Sequence, residues 1–233
     1  MNNSLIQHKK SDDNIAKRFM SNVFSNIKKH LNINFTRLRK KKREIDDCVN
    51  LLLNQINATD AYTHRHCVEV ANLSEIFARR LNLPLKTIKK IHAAALIHDI
   101  GKTEIPTDIL NKNSTLSPSE RALIKNHSTL GVRKIEEEYP ELNELLPIIK
   151  HHHESWNGAG YPSGLSANEI PLEAQIISIV DCYHAILGRN YSQTTTPYEA
   201  CKILLNGAGS KWNPYLVFKF VKLIMSGATT LST

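Results

Sequence analysis

The sequence predicts an all-α protein, and three observations carry that expectation. From residue 45 onward apolar residues return every three or four positions, the period of a helix with one buried face. Long runs of alternating apolar and polar residues, the mark of a half-buried strand, are absent. No internal repeat is visible, which leaves one helical domain with an extension rather than a stacked array.

The extension comes first. Residues 1–43 are rich in Asn, Ser and Lys, with only weak helical patterning around IAKRFMSNVFSNIKKHL, and read as a basic tail or linker before a domain expected over 44–233. Ile45, Cys48, Val49, Leu52 and Ile56 then fall on one helical face that ends at NATD; this face could dock on the domain or pair two subunits in a homodimer. Val68, Ala71, Ile76 and Leu81 mark the next helix, and Pro84 to Ile100 another, bounded by Pro84 and Gly101. Further helices are expected over Ser117–Asn126, Leu130–Tyr139, Glu141–His152, Leu172–Leu187, Pro197–Leu205 and Pro214–Met225. The stretch between Glu154 and Pro171 holds three glycines and two prolines and must be a structured loop.

Charge is informative once divided along the chain. Residues 1–47 hold 12 Lys or Arg against 5 Asp or Glu, whereas the remainder holds 18 against 17, so the basic character belongs to the N-terminus. A block such as RLRKKKR suits nucleic acid or an acidic membrane surface in principle, but with no aromatic residues interleaved a solvated arm is the simpler reading, and no specific nucleic-acid partner is expected. Cys48, Cys67, Cys182 and Cys201 form no CxxC pair and no signal peptide precedes them, so they read as reduced thiols of a cytoplasmic protein. No apolar run approaches the roughly 18 residues that would argue for a transmembrane segment.

The chemistry concentrates at HDIGK, residues 98–102, directly after the apolar run IHAAALI. A buried carboxylate is costly alone, and a metal ion would offset that cost while taking the neighbouring imidazole as a second ligand. One His-Asp pair is weak support for a metal. More donors follow the same logic: His66 opens an earlier helix, His127 lies in KNHSTLG, His152 and His153 lie in HHHES, and Asp181 lies in ISIVDCY. Five histidines and two aspartates from separate helices make the kind of inward-facing set that a helical bundle uses for a dinuclear site.

With these motifs in order, from about Asp60 to Phe220, the sequence resembles the HD-GYP family of the HD phosphohydrolase superfamily. The matching pieces are DAYTHRH, HDIGK, KNHSTLG, HHESWNGAGYPSGL, NEIPLEAQI and VDCYHA. The resemblance implies an HD-domain helical bundle with additional helices and a GYP loop. It implies a cytoplasmic phosphodiesterase that hydrolyses cyclic di-GMP to pGpG and onward to GMP, through a water or hydroxide held between two divalent ions, iron or manganese being the best suited. Carried across residue by residue, His66, His98, Asp99, His127, His152, His153 and Asp181 match the metal ligands, with Asp99 bridging the ions. Lys102 matches the cation that meets the phosphate in catalysis, and Arg189 in GRNYS matches, with a one-residue gap, a second phosphate or guanine contact.

The loop NGAGYP is expected to be chiefly structural, with docking of GGDEF-type diguanylate cyclase domains as the functional alternative. His151 is the extra histidine of HHHE, and His64 and His92 are ordinary surface or core residues. Tyr62 stands where some relatives place a glutamate for a third metal, so two ions are expected. Asn157, His184, Ser192 and Asn213 also depart from the family pattern, around the ligands rather than among them. They motivate two alternatives to the hydrolase: a catalytically weak module that senses nucleotide or binds partners, and a hydrolase of another cyclic dinucleotide or nucleotide phosphoester.

Overall fold

The computed structural model describes residues 40, 43–112, 114–188 and 195–228, and among them every regular element is helical. Two isolated bridges, Asn157 with Ser166 and Ala208 with Trp212, are the extended pairings present. The chain divides into two compact units, Met1–Ile45 and Asp46–Thr233, and the candidate site lies within the second. No helix among the described residues is long and apolar enough to cross a membrane.

Helix α1 runs over 43–59, and its Val49, Leu52 and Ile56 are buried. The Gln55 amide donates to the Tyr139 hydroxyl at 3.2 Å. This apolar face is therefore already covered within the chain, and a homodimer through it would have to expose it first. Asp60 then caps α2 (Ala61–Arg80), accepting from the Tyr62 backbone N–H at 2.9 Å and the Thr63 hydroxyl at 2.6 Å, while Arg79 and Arg80 complement the helix dipole in the last turn.

The helix marked by Val68, Ala71, Ile76 and Leu81 is present, and its fully buried stripe is Cys67, Val70, Ala71, Ser74, Phe77 and Ala78. The choice of face has a tertiary cause. Phe77 meets the Phe220 ring at 5.1 Å, and Phe220 meets Tyr183 at 5.3 Å, an aromatic cluster that turns α2 toward Phe77.

Helix α3 (Leu85–Ile97) buries Ile88, Ile91, Ala94, Ala95 and Ile97 against α2. It stops short of the expected Ile100, and the chain tightens into a 3₁₀ turn at Ile100–Glu104, followed by the short α4 (Thr107–Leu110). A capping box between Ser117 and Glu120 starts α5 (Pro118–Lys125), and α6 (His127–Glu138) begins three residues earlier than the apolar pattern suggests.

The single helix expected over Glu141–His152 is instead a 3₁₀ turn, Pro140–Leu145, and then α7 (Leu146–His151). Pro147 explains the break, since it cannot donate to a preceding turn and is tolerated only at a helix start. Helices α8 (Leu172–Gly188), α9 (Pro197–Asn206) and α10 (Pro214–Met225) follow as expected to within about one residue.

The loop between α7 and α8 is held on both sides. Trp156 and Asn157 donate backbone N–H groups to Lys211 and Ser210 carbonyls at 3.0 and 2.9 Å, pinning it to the turn between α9 and α10. The buried Glu154 carboxylate accepts from the Ser163 N–H at 2.7 Å. Gly160 is required here, because a Cβ would collide with the Glu154 and Ser155 backbone.

Candidate metal centre and active site

The site is assembled from the C-terminal end of α3, the start of α6, the end of α7, and facing positions on α2 and α8. His98, His127 and His152 share one local geometry. Each ring approaches the carbonyl three residues earlier through Nδ1, at 2.7 Å to Ala95, 2.6 Å to Ile124 and 2.6 Å to Ile149. A carbonyl can only accept, so each Nδ1 carries the proton and each Nε2 presents a bare lone pair.

Those lone pairs converge on other acceptors. His127 Nε2 lies 3.3 Å from His152 Nε2 and 3.3 Å from Asp99 Oδ1, while His98 Nε2 lies 3.4 Å from Asp99 Oδ2. His98 Nε2 is buried without a hydrogen-bond partner. Acceptors facing one another without protons repel, and a cation among them converts the repulsion into coordination. The donor set therefore fits metal ions.

Ligand atoms of His127, His152 and His153 lie within 4.8 Å of one another, and those of His66, His98 and Asp99 form a second such group. Asp181 joins the second, its Oδ1 accepting from His66 Nε2 at 2.8 Å. All seven expected ligands are thus brought together. Lys102 reaches Asp99 Oδ2 with its ammonium at 2.6 Å, yet its side chain keeps 29% of its exposure. Arg189 and Ser192 lie outside the described residues.

The electrostatics follow from burial set against these contacts. Burial opposes ionisation of Asp99, but the Lys102 ammonium beside it outweighs burial and holds the carboxyl well below its ordinary range. Burial likewise works against charge on Lys102, yet Asp99 prevails and raises it. Asp181 is lowered despite burial by the hydrogen bond from His66, and His66 is raised by the same contact. Burial pushes His127 and His152 down, and His153 down to about 4, so these imidazoles are neutral ligands at ordinary pH.

Two glycines make this convergence possible. A Cβ on Gly101 would fall inside the backbone of His127 and Gly131, and a Cβ on Gly131 would meet Gly101 N and the Ile100 side chain at 3.1 Å. The HDIGK turn and α6 therefore touch backbone to backbone, which draws His127 up to Asp99. In the sequence Gly101 marks only the end of a helix. Tyr161 was also missed as an individual residue: its ring stacks on His153 with centroids 4.9 Å apart. Gly101, three residues past His98, and Gly131, four residues past His127, were the available signal for the first, and the tyrosine of GAGYP for the second.

The departures from the family pattern have local roles. Asn213 caps α10, accepting from the Tyr215 and Leu216 N–H groups, and also donates to Gln175 Oε1 at 3.2 Å, which a carboxylate cannot do. Asn157 accepts from the Ala159 N–H at 3.1 Å within the loop. His184 stands 6.3 Å from the His66 ring, with Nδ1 3.7 Å from Glu69. Tyr62 is 45% exposed, and His151 turns to Glu154 rather than to the cluster.

Comparison with known proteins agrees with this arrangement. A model of the HD domain family matches residues 38–216. The chain is 33% identical over 186 residues to a cyclic di-GMP phosphodiesterase of Thermotoga maritima, covering 77% of this chain and 50% of that protein. It is also 33% identical over 162 residues to 3'3'-cGAMP-specific phosphodiesterase 1 of Vibrio cholerae, covering 69% and 37%. The chain spans about half the length of the curated relatives it matches. Among solved structures, Bd1817, an HDG"Y"P protein from Bdellovibrio bacteriovorus, superposes with a TM-score of 0.57 at 23% identity, over 79% of this chain and 62% of that one. By its motifs, its helical fold and the span of the family match, the chain belongs to the HD domain family, in the HD-GYP branch.

Proposed function

We propose that the chain is a metal-dependent phosphodiesterase that opens cyclic di-GMP to pGpG and carries it onward to GMP. The observation that supports this most is the ring of proton-free acceptors around Asp99, formed by His98, His127 and His152. Two divalent ions, iron or manganese, would be held by His66, His98, Asp99 and Asp181 on one side and by Asp99, His127, His152 and His153 on the other. When bound, they supply Lewis acidity to the phosphate and to the water that attacks it.

The chain's own groups do the rest. Backbone carbonyls fix three imidazole tautomers before any ligand arrives, so no proton has to move for them to bind. Lys102 stays charged beside Asp99 and meets the negative charge that gathers on the phosphate. Arg189 is the proposed second phosphate or guanine contact. Asp181 holds His66 in orientation across α2 and α8.

The same reading places the protein in the cytoplasm, whose reducing conditions suit four cysteines that form no CxxC pair. It leaves the GYP loop as a docking surface for GGDEF-type diguanylate cyclase domains, and a homodimer by a surface other than the covered face of α1, as further proposals.

Anaerobic purification with metal analysis, followed by turnover assays with added Fe(II) or Mn(II), tests the proposal. Two metals per chain and release of pGpG are expected, and Asp99→Ala should lose both metal and turnover. Retained turnover in Asp99→Ala would place the site elsewhere, and a metal-loaded protein inert toward every cyclic dinucleotide would leave only the binding-module reading. A second substrate, 3'3'-cGAMP, is favoured by the relative named for it, which has the same 33% identity to this chain as the cyclic di-GMP phosphodiesterase, over 162 residues against 186. The same assay with both substrates side by side separates them.

A further inference from the structure

Beside the metal centre, on the α5 side of Tyr161, lies an open groove of about 680 Å³. It lies one ring away from the centre, with Tyr161 lining the groove and touching His153. Tyr161 stacks on His153 with one face, Lys125 places its ammonium 5.3 Å from the centre of the same ring, and Asn126 directly precedes His127. The groove is mostly apolar, with Leu123 and Pro162 contributing side chains that neither helix packing nor the loop covers; Leu123 is 47% exposed.

Of the polar groups on its wall, Lys125 can only donate, whereas Ser119, Asn126, Thr129 and Tyr161 can donate or accept. Among the lining residues there is no carboxylate. A planar base would stack on the apolar surface, and the donor-only ammonium of Lys125 suits a base edge made of acceptors. Guanine presents two acceptors, O6 and N7, on its major-groove edge, whereas adenine presents one acceptor and one donor there.

We propose that this groove receives a guanine base of the cyclic dinucleotide whose scissile phosphate lies at the metal centre, with Leu123 as part of its stacking surface and Lys125 reading its acceptor edge. The inference rests on the hydrolase reading for the position of the phosphate. It extends that reading by assigning specificity to α5, a helix that supplies no metal ligand.

The test uses the full metal-loaded chain, with Leu123→Glu and Lys125→Met as variants at exposed positions. Equilibrium titration with cyclic di-GMP is expected to give a Kd at least tenfold weaker for Leu123→Glu. Lys125→Met should lower the preference for cyclic di-GMP over cyclic di-AMP at least fivefold. In turnover, the ratio of kcat/KM for cyclic di-GMP to that for bis(p-nitrophenyl) phosphate, a diester with no base to place, should fall by the same factor in Leu123→Glu. An unchanged Kd in Leu123→Glu overturns the groove assignment. So does an equal loss on both diesters, which would mean damage to the metal centre. If wild-type protein binds cyclic di-GMP but cleaves neither diester, the hydrolase reading fails by itself, and the binding comparison still decides the groove.

Discussion

The Nδ1 protons of His98, His127 and His152 are each committed to a carbonyl in the preceding turn, so their Nε2 atoms have no role in the protein's own hydrogen bonding. Lys102 stands apart from this set, since it is tied to Asp99 yet remains partly exposed. A group that meets charge only as it gathers on the phosphate affects the rate more than the binding. Lys102→Met is therefore expected to lower kcat roughly 100-fold while leaving the metal content near the wild-type value. Steady-state kinetics alongside metal analysis checks this, and a variant stripped of metal would show that Lys102 serves the ligands rather than the phosphate. Asn213 teaches a related lesson: it keeps the capping function of the aspartate it replaces and gains a donor toward Gln175.

At the scale of elements, the decisive contact is between the 3₁₀ turn Ile100–Glu104 and α6. Side chains on that crossing would separate it by the thickness of a methyl group, and His127 would no longer reach Asp99. Gly101→Ala should destabilise the protein by about 3 kcal/mol or more, since the added methyl meets backbone that cannot yield. Gly131→Ala, whose added methyl finds its nearest neighbours at 3.1 Å, should cost about 1 kcal/mol. Denaturant melts of the two variants check the order, and equal losses would show that the close approach is not the controlling contact. The loop carrying Tyr161 is governed by the same principle, because Gly160 lets it close over Glu154 and deliver the tyrosine ring onto His153.

For the whole molecule, burying so many imidazoles in one place makes stability depend on pH. His127, His151, His152, His153 and His184 are lowered, each chiefly by burial, whereas His66 is raised by Asp181. A histidine lowered in the folded state is protonated first in the unfolded chain. Between its ordinary pKa of 6.5 and the folded value, about 4 for His153, acid therefore favours unfolding. His66 has the opposite sign, with its contribution present in acid and lost as pH rises above its folded value, and it is outnumbered. Metal-free protein should accordingly melt at a lower temperature as pH falls from 6.5 toward 4. Thermal melts in the presence of a chelator check this, and a flat profile across the window would show that the imidazoles are not buried as neutral groups.

The all-α class, the order and approximate bounds of the later helices, and the seven candidate ligands could be read from the sequence, because helical periodicity, prolines and short motifs are local signals. His98 and Asp99 announced themselves by following an apolar helix directly. Three things were decided only by tertiary structure. The buried face of α2 depended on Phe220 and Tyr183, which are far away in sequence. The covered face of α1 depended on the domain it meets, so its apolar stripe alone could not distinguish docking from dimerisation. The backbone contact of Gly101 with α6, and the stacking of Tyr161 on His153, exist only once distant segments meet. Sequence fixes which groups are available for burial or coordination, and packing selects among them, since contact free energy depends on what each face finds opposite it.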